Sequence, residues 1–103
     1  MERDEAMEDL RNDLKEEWFE EVEDFIIVAD TIETSYYEGF YNFELTLYVD
    51  FDGNYVMLKT HREPIGDYGR RTVKQWFKCV DNEKVDEALG LTREEAKNFA
   101  KEV

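Results

Sequence analysis

Two alternating runs meet at Asp52-Gly53, and no other feature restricts the fold of this chain as tightly. Before the dipeptide, Tyr41, Phe43, Leu45, Leu47 and Val49 alternate with Asn42, Glu44, Thr46, Tyr48 and Asp50. After it, Val56 and Leu58 alternate with Tyr55, Met57 and Lys59. Asp-Gly between period-two runs is a strong two-residue hairpin signal. With a two-residue turn, Val49 falls opposite Val56, Leu47 opposite Leu58 and Leu45 opposite Thr60. The other face then carries Tyr48, Tyr55 and Met57, less polar than a solvated face, and would suit a partner.

The remaining elements are read outward from this hairpin. Residues 3–22 predict one amphipathic helix, because Met7, Leu10, Leu14, Trp18 and Val22 recur at helical spacing without Gly or Pro. Residues 25–32 are rich in β-branched side chains and predict a strand, followed by strands over about 36–50 and 54–62. Residues 63–71 hold the only proline and two of the five glycines and read as a loop. Val73, Trp76, Phe77 and Val80 return to helical spacing. Asp81-Asn82 breaks that helix or starts another through Leu89, with Gly90 as its C-cap. Thr92 to Glu95 forms a capping box, with Leu91 and Ala96 as a hydrophobic staple, for a last helix burying Ala96, Phe99 and Ala100. The expected fold is therefore a single α+β domain over 1–103. It has an N-terminal amphipathic helix, a three-stranded antiparallel sheet and two or three short C-terminal helices.

Charge is the second constraint. The chain carries 27 acids and 13 bases, a formal net charge of -14, in only 103 residues. Such a balance repels nucleic acid and anionic membrane and favours basic protein surfaces. Apolar residues reach 42%, enough for a core, so the acidity is not that of a disordered tail. The opening MERDEAMEDL has no apolar signal region, and the longest apolar run, residues 25–29, is far short of a membrane span. One cysteine, Cys79, allows no internal disulfide. A reducing, cytoplasmic setting is the simple expectation.

The acids are concentrated. Residues 1–24 hold twelve acids and three bases, whereas residues 63–81 hold three acids and four bases. On a helical wheel Glu5, Asp9, Glu16, Glu20 and Glu23 line the face opposite Leu10, Leu14 and Trp18, with Glu2 and Asp13 beside them. Six like-charge pairs at i,i+4 would cost about 1–3 kcal/mol together. A solvated face needs no such self-repulsion, and interspersed Lys would relieve it. A regular anionic row on a rod is electrostatically like a nucleic-acid backbone, which a phosphate-binding groove would attract. Phe19 sits away from the apolar stripe. It reads either as an anchor for a partner within the acidic field or as a residue packed on a local element.

Other constellations carry less. Asp50 to Asn54 has a calcium-loop flavour, but position 12 counted from Asp50 is His61, and the flanks are strands. His61 and Cys79 are the sole members of their kinds and have no oxyanion signature nearby, so no catalytic residue, metal ligand or cofactor is expected. Arg70, Arg71, Lys74 and Lys78 form a basic patch near Tyr68 and Trp76 that would pair with the chain's own acids or a second copy's. Tyr36, Tyr37, Phe40, Tyr41 and Phe43 read as core or as an interface.

In element order and charge the chain resembles small acidic phage-encoded inhibitors, the anti-CRISPR and anti-restriction proteins that act as DNA mimics. That resemblance implies a non-enzymatic protein in an infected host cell, bound to a basic nucleic-acid-binding host protein. Glu5, Asp9, Glu16, Phe19, Glu20 and Glu23 are the expected contact residues. The alternative is an acidic accessory or structural protein, a homodimer joined through the aromatic sheet face.

Overall fold

The computed structural model describes residues 10–11, 18–37, 43–64, 66–67 and 69–101. Five strands, β1 (Phe19–Val22), β2 (Asp30–Tyr37), β3 (Phe43–Val49), β4 (Tyr55–Pro64) and β5 (Arg70–Cys79), are followed by helices α1 (Asn82–Leu89) and α2 (Arg93–Lys101). The strands form one antiparallel sheet in the order β1-β5-β4-β3-β2.

This corrects the expected arrangement. The sheet has five strands rather than three, and no helix precedes it among the described elements. Leu10 and Arg11 have helical backbone; the rest of 1–17 lies outside the described residues. The last four residues of the expected helix are strand β1, paired from Phe19↔Cys79 to Val22↔Trp76. Residues 70–79 are also strand, not helix. There Val73 and Phe77 fit both periods, but Thr72, Val73, Trp76, Phe77 and Cys79 are β-branched or otherwise suited to a strand, and β4 supplies a ten-residue partner.

The central hairpin is present, one residue out of the expected register. Val49 faces Tyr55, Leu47 faces Met57 and Leu45 faces Lys59. The turn is longer than two residues. Gly53 N donates to Asp50 O at 3.1 Å and Asp50 N to Asn54 O at 2.9 Å, with Gly53 at φ +85°. That is a type I turn closed by a glycine bulge. Asp50 Oδ1 accepts from the amides of Asp52 and Asn54, both at 2.9 Å, which explains the acid at the turn without a cation. A one-residue slip exchanges faces. Tyr55 and Met57 therefore enter the core, and Val56 and Leu58 lie on the other side.

One face of the sheet carries the core. Phe19, Leu45, Leu47, Val49, Tyr55, Met57, Phe77 and Cys79 pack with Leu10, Ile32 and with Val85, Leu89 and Ala96 of the helices. Both helices begin, and α1 ends, as the sequence requires. Asp81 Oδ1 accepts from Lys84 N, Gly90 closes α1 at φ 70°, and Thr92 Oγ1 accepts from Glu95 N at 3.1 Å.

The outer face is not bare. Thr46, Val56 and Leu58 are buried there, outside the main core cluster. β1 and β2 are opposite edges, about four interstrand spacings or ~19 Å apart. Residues 23–29 make that crossing, and at ~3.3–3.6 Å per residue they suffice only when extended. Phe25 packs edge-on against outer-face Trp76, ring centroids 5.3 Å apart. Of the residues expected as a first strand, 25–29 are thus a strap across the sheet, whereas 30–32 begin β2.

Candidate protein-interaction surface

Strand geometry decides which acids stand together. In an extended chain successive side chains point to opposite faces. Glu20 therefore shares the outer face with its cross-strand neighbour Lys78, whereas Glu21 points to the core side. There Gln75 Nε2 donates to Glu21 Oε2 at 3.0 Å. Glu23 and Asp24 follow in an exposed bend. Glu20 and Glu23 consequently cannot extend a helical row, because the backbone at 19–22 advances by pleats and not by turns. Glu5, Asp9 and Glu16 lie outside the described residues. Glu20, Glu23 and Asp24 are exposed and make no ion pair among the described residues.

Phe19 is only 3% exposed and belongs to the core. It pairs with Cys79 on the core face, so its packed reading holds and its reading as a surface anchor does not. Among the described residues, the exposed large apolar ones are Phe25, Ile27, Tyr36, Phe51 and Val80. A period-two reading of residues 19–22 would have turned Phe19 inward.

The basic residues are sorted by the same alternation. On β5, Arg70, Lys74 and Lys78 point to the outer face, joined by Arg62 of β4. All four are exposed and unpaired among the described residues. Arg71 points to the other side, where its Nη2 lies 3.0 Å from Glu63 Oε2. His61 Nε2 lies 3.2 Å from Glu63 Oε1, while its Nδ1 is buried without a partner. The Arg71 guanidinium, and then His61, hold the Glu63 carboxyl below the ordinary carboxylate range. The expected patch of Arg70, Arg71, Lys74 and Lys78 is therefore split, because the strand turns Arg71 away from the others.

A group of polar and titratable side chains ties the turn to the helices. Arg93, the first residue of α2, makes a forked pair with Asp86 of α1 through Nε to Oδ2 and Nη2 to Oδ1. Its Nη1 donates to Gly53 O at 3.0 Å. The Tyr55 hydroxyl donates to Asp86 Oδ1, and the Arg93 guanidinium lies over the Tyr55 ring at 5.0 Å. Asn82 accepts from Tyr55 N at 3.1 Å and donates to Asn54 Oδ1 at 2.7 Å. Burial, and then the bond to Asp86, push the Tyr55 phenol far up. Every member is satisfied by another, so the group acts as a clip between hairpin and helices. Cys79 is buried beneath it on β5, with its thiol pushed up to about 11 by burial, which makes it a poor nucleophile.

Comparison with protein-family models, curated proteins and solved structures finds no match. Among the described residues no helix is long and apolar enough to cross a membrane, and no three His, Cys, Asp or Glu side chains stand where they could hold a metal ion.

Proposed function

We propose that the chain is a non-enzymatic acidic protein that occupies the cationic nucleic-acid channel of a host defence protein, such as a CRISPR effector. The observation that carries the reading is the net charge of -14, with twelve acids against three bases in residues 1–24. In Glu20, Glu23 and Asp24 that excess is exposed and without ion pairs among the described residues. The expected element order no longer supports a likeness to phage-encoded inhibitors, and charge alone supports it. The anionic surface is also not one helical row, so the reading rests on local density of charge and not on regular spacing. Desolvated carboxylates facing Lys and Arg would compete with phosphates and lose affinity steeply with salt.

The test is displacement of a labelled oligonucleotide from a purified CRISPR effector by the full chain. Displacement should weaken at least tenfold in the triple variant E20K/E23K/D24K and disappear by about 0.5 M NaCl, since charge pairs are screened within a few ångströms there. Displacement indifferent to both changes would overturn the reading. A second reading, an acidic accessory protein that dimerises through its outer face, is favoured by exposed Phe25 and Tyr36. Sedimentation at two concentrations separates them: a tight dimer that leaves the oligonucleotide bound supports the second.

A further inference from the structure

The β4–β5 hairpin runs past its neighbours. β1 stops pairing at Trp76, and β3 stops at His61, whereas β4 and β5 stay paired out to Pro64↔Arg70. Along Arg70 to Lys74, β5 is therefore a sheet edge with no strand beside it among the described residues. An edge presents a row of backbone donors and acceptors that another strand can complete. β1 lies in line with this opening but leaves it, because the chain bends at Glu23 and Asp24 to cross the outer face. At the inner end of the opening, the side chain of Gln75 is already held by Glu21.

The side chains along this edge define what fits. Arg70 and Lys74 stand on the outer face, exposed and unpaired among the described residues, ~13 Å apart along the strand. Thr72 lies between them. On the opposite side Val73 is half-buried and Arg71 is occupied by Glu63. Opposite charges across neighbouring strands stabilise the pair, and like charges destabilise it.

We propose that this edge takes an extended acidic peptide, which adds as a short antiparallel strand in line with β1. Its acids stand opposite Lys74 and Arg70, four residues apart, with an apolar residue opposite Val73. Main-chain hydrogen bonds supply attachment and the two acids supply selection, as in other strand-addition complexes. A second copy of this chain does not suit the edge. Antiparallel pairing of two β5 strands about Thr72 sets Arg70 against Lys74. Nucleic acid fits less well, because it would use the outer-face cations and leave the row of backbone donors and acceptors along the edge open.

The probe is a fluorescein-labelled, end-blocked peptide containing Glu-Val-Thr-Thr-Glu, titrated into the full chain at about 20 mM NaCl and followed by anisotropy. Binding should weaken at least tenfold in R70E/K74E, whose changed side chains are exposed and leave the far-UV spectrum intact. It should return when Lys replaces Glu in the peptide. Alternate amides between 70 and 74 should exchange more slowly with peptide bound. Absence of binding, equal binding by R70E/K74E, or an unchanged exchange pattern would overturn the proposal. So would tighter binding of a 20-nucleotide oligomer at the same residues, or self-association abolished by R70E/K74E. The residues altered here are not those altered in the displacement test, so either idea can fail alone.

Discussion

Cys79 and Tyr55 couple the stability of the chain to alkaline pH. Both are buried, and burial is the leading reason both hold their protons more tightly in the fold than in an open chain. A proton held more tightly by the native state stabilises it below the unfolded-state pKa, and the gain is lost as pH rises through the native one. For Cys79 that window runs from 9.0, the ordinary thiol value, to about 11. The loss across it is about 2–3 kcal/mol, taking 1.36 kcal/mol per pKa unit. Tyr55 adds to the decline at still higher pH. Urea midpoints measured from pH 7.5 to 10.5 should fall, and C79A should flatten the fall between pH 9 and 10.5 whatever it does to absolute stability. A wild-type midpoint that holds steady over that span would contradict the burial of this thiol.

At the scale of the element, the turn between β3 and β4 sets which side chains form the core. Its closing residue, Gly53, lies at φ +85°, where an L side chain is strained. It also lies under α2: a Cβ there would stand 2.7 Å from Lys97 Cγ. G53A should therefore lose about 1–3 kcal/mol in chemical denaturation, combining backbone strain with the clash. In the double variant G53A/K97A the steric part should be relieved and the strain should remain. Equal losses in the single and double variants would show that Lys97 simply moves aside. This turn also shows what the sequence discloses. Asp52-Gly53 correctly marks a hairpin, and Asp81, Gly90 and Thr92 correctly mark helix ends, because capping and turn chemistry act within four residues. Register is harder: two-residue and longer turns share the Asp-Gly signal, and one extra residue exchanges Tyr55 and Met57 with Val56 and Leu58. Residues 19–22 and 73–80 misled because Trp18 and Val22, and Val73, Trp76, Phe77 and Val80, recur at helical spacing, although the pleat sets Trp76 on the face opposite Val73 and Phe77. The choice is made by partners distant in sequence, Cys79 for Phe19 and His61 for Val73. Of the expected site, Glu20 and Glu23 were legible as exposed acids and Phe19 as a packed residue, though not as one facing Cys79 in the core of a sheet. The open edge at Arg70 to Lys74 exists only because β1 ends early, which no local pattern announces.

The molecule as a whole carries its charge in a small volume. Its extents are 49 × 27 × 23 Å, and its net charge is -14. The Debye length is about 30 Å at 10 mM ionic strength and about 3 Å at 1 M. In dilute buffer it therefore exceeds both short axes, so most pairs of charges feel one another across the body. At high salt only near neighbours do. An excess of one sign opposes compaction through this long-range repulsion. The short-range pair of Asp86 with Arg93 favours folding and, being partly buried, is screened much less. Added NaCl should then raise the thermal midpoint at pH 7, with most of the rise complete by a few hundred millimolar. The same titration near the isoelectric point of about 4.3 removes the net repulsion while keeping the salt, and there the midpoint should stay flat or fall. Salt that stabilised equally at both pH values would be acting through hydrophobic burial and not through charge. In that case the acidity would impose no cost on the fold, and the inference that it is retained for a cationic partner would lose its physical basis.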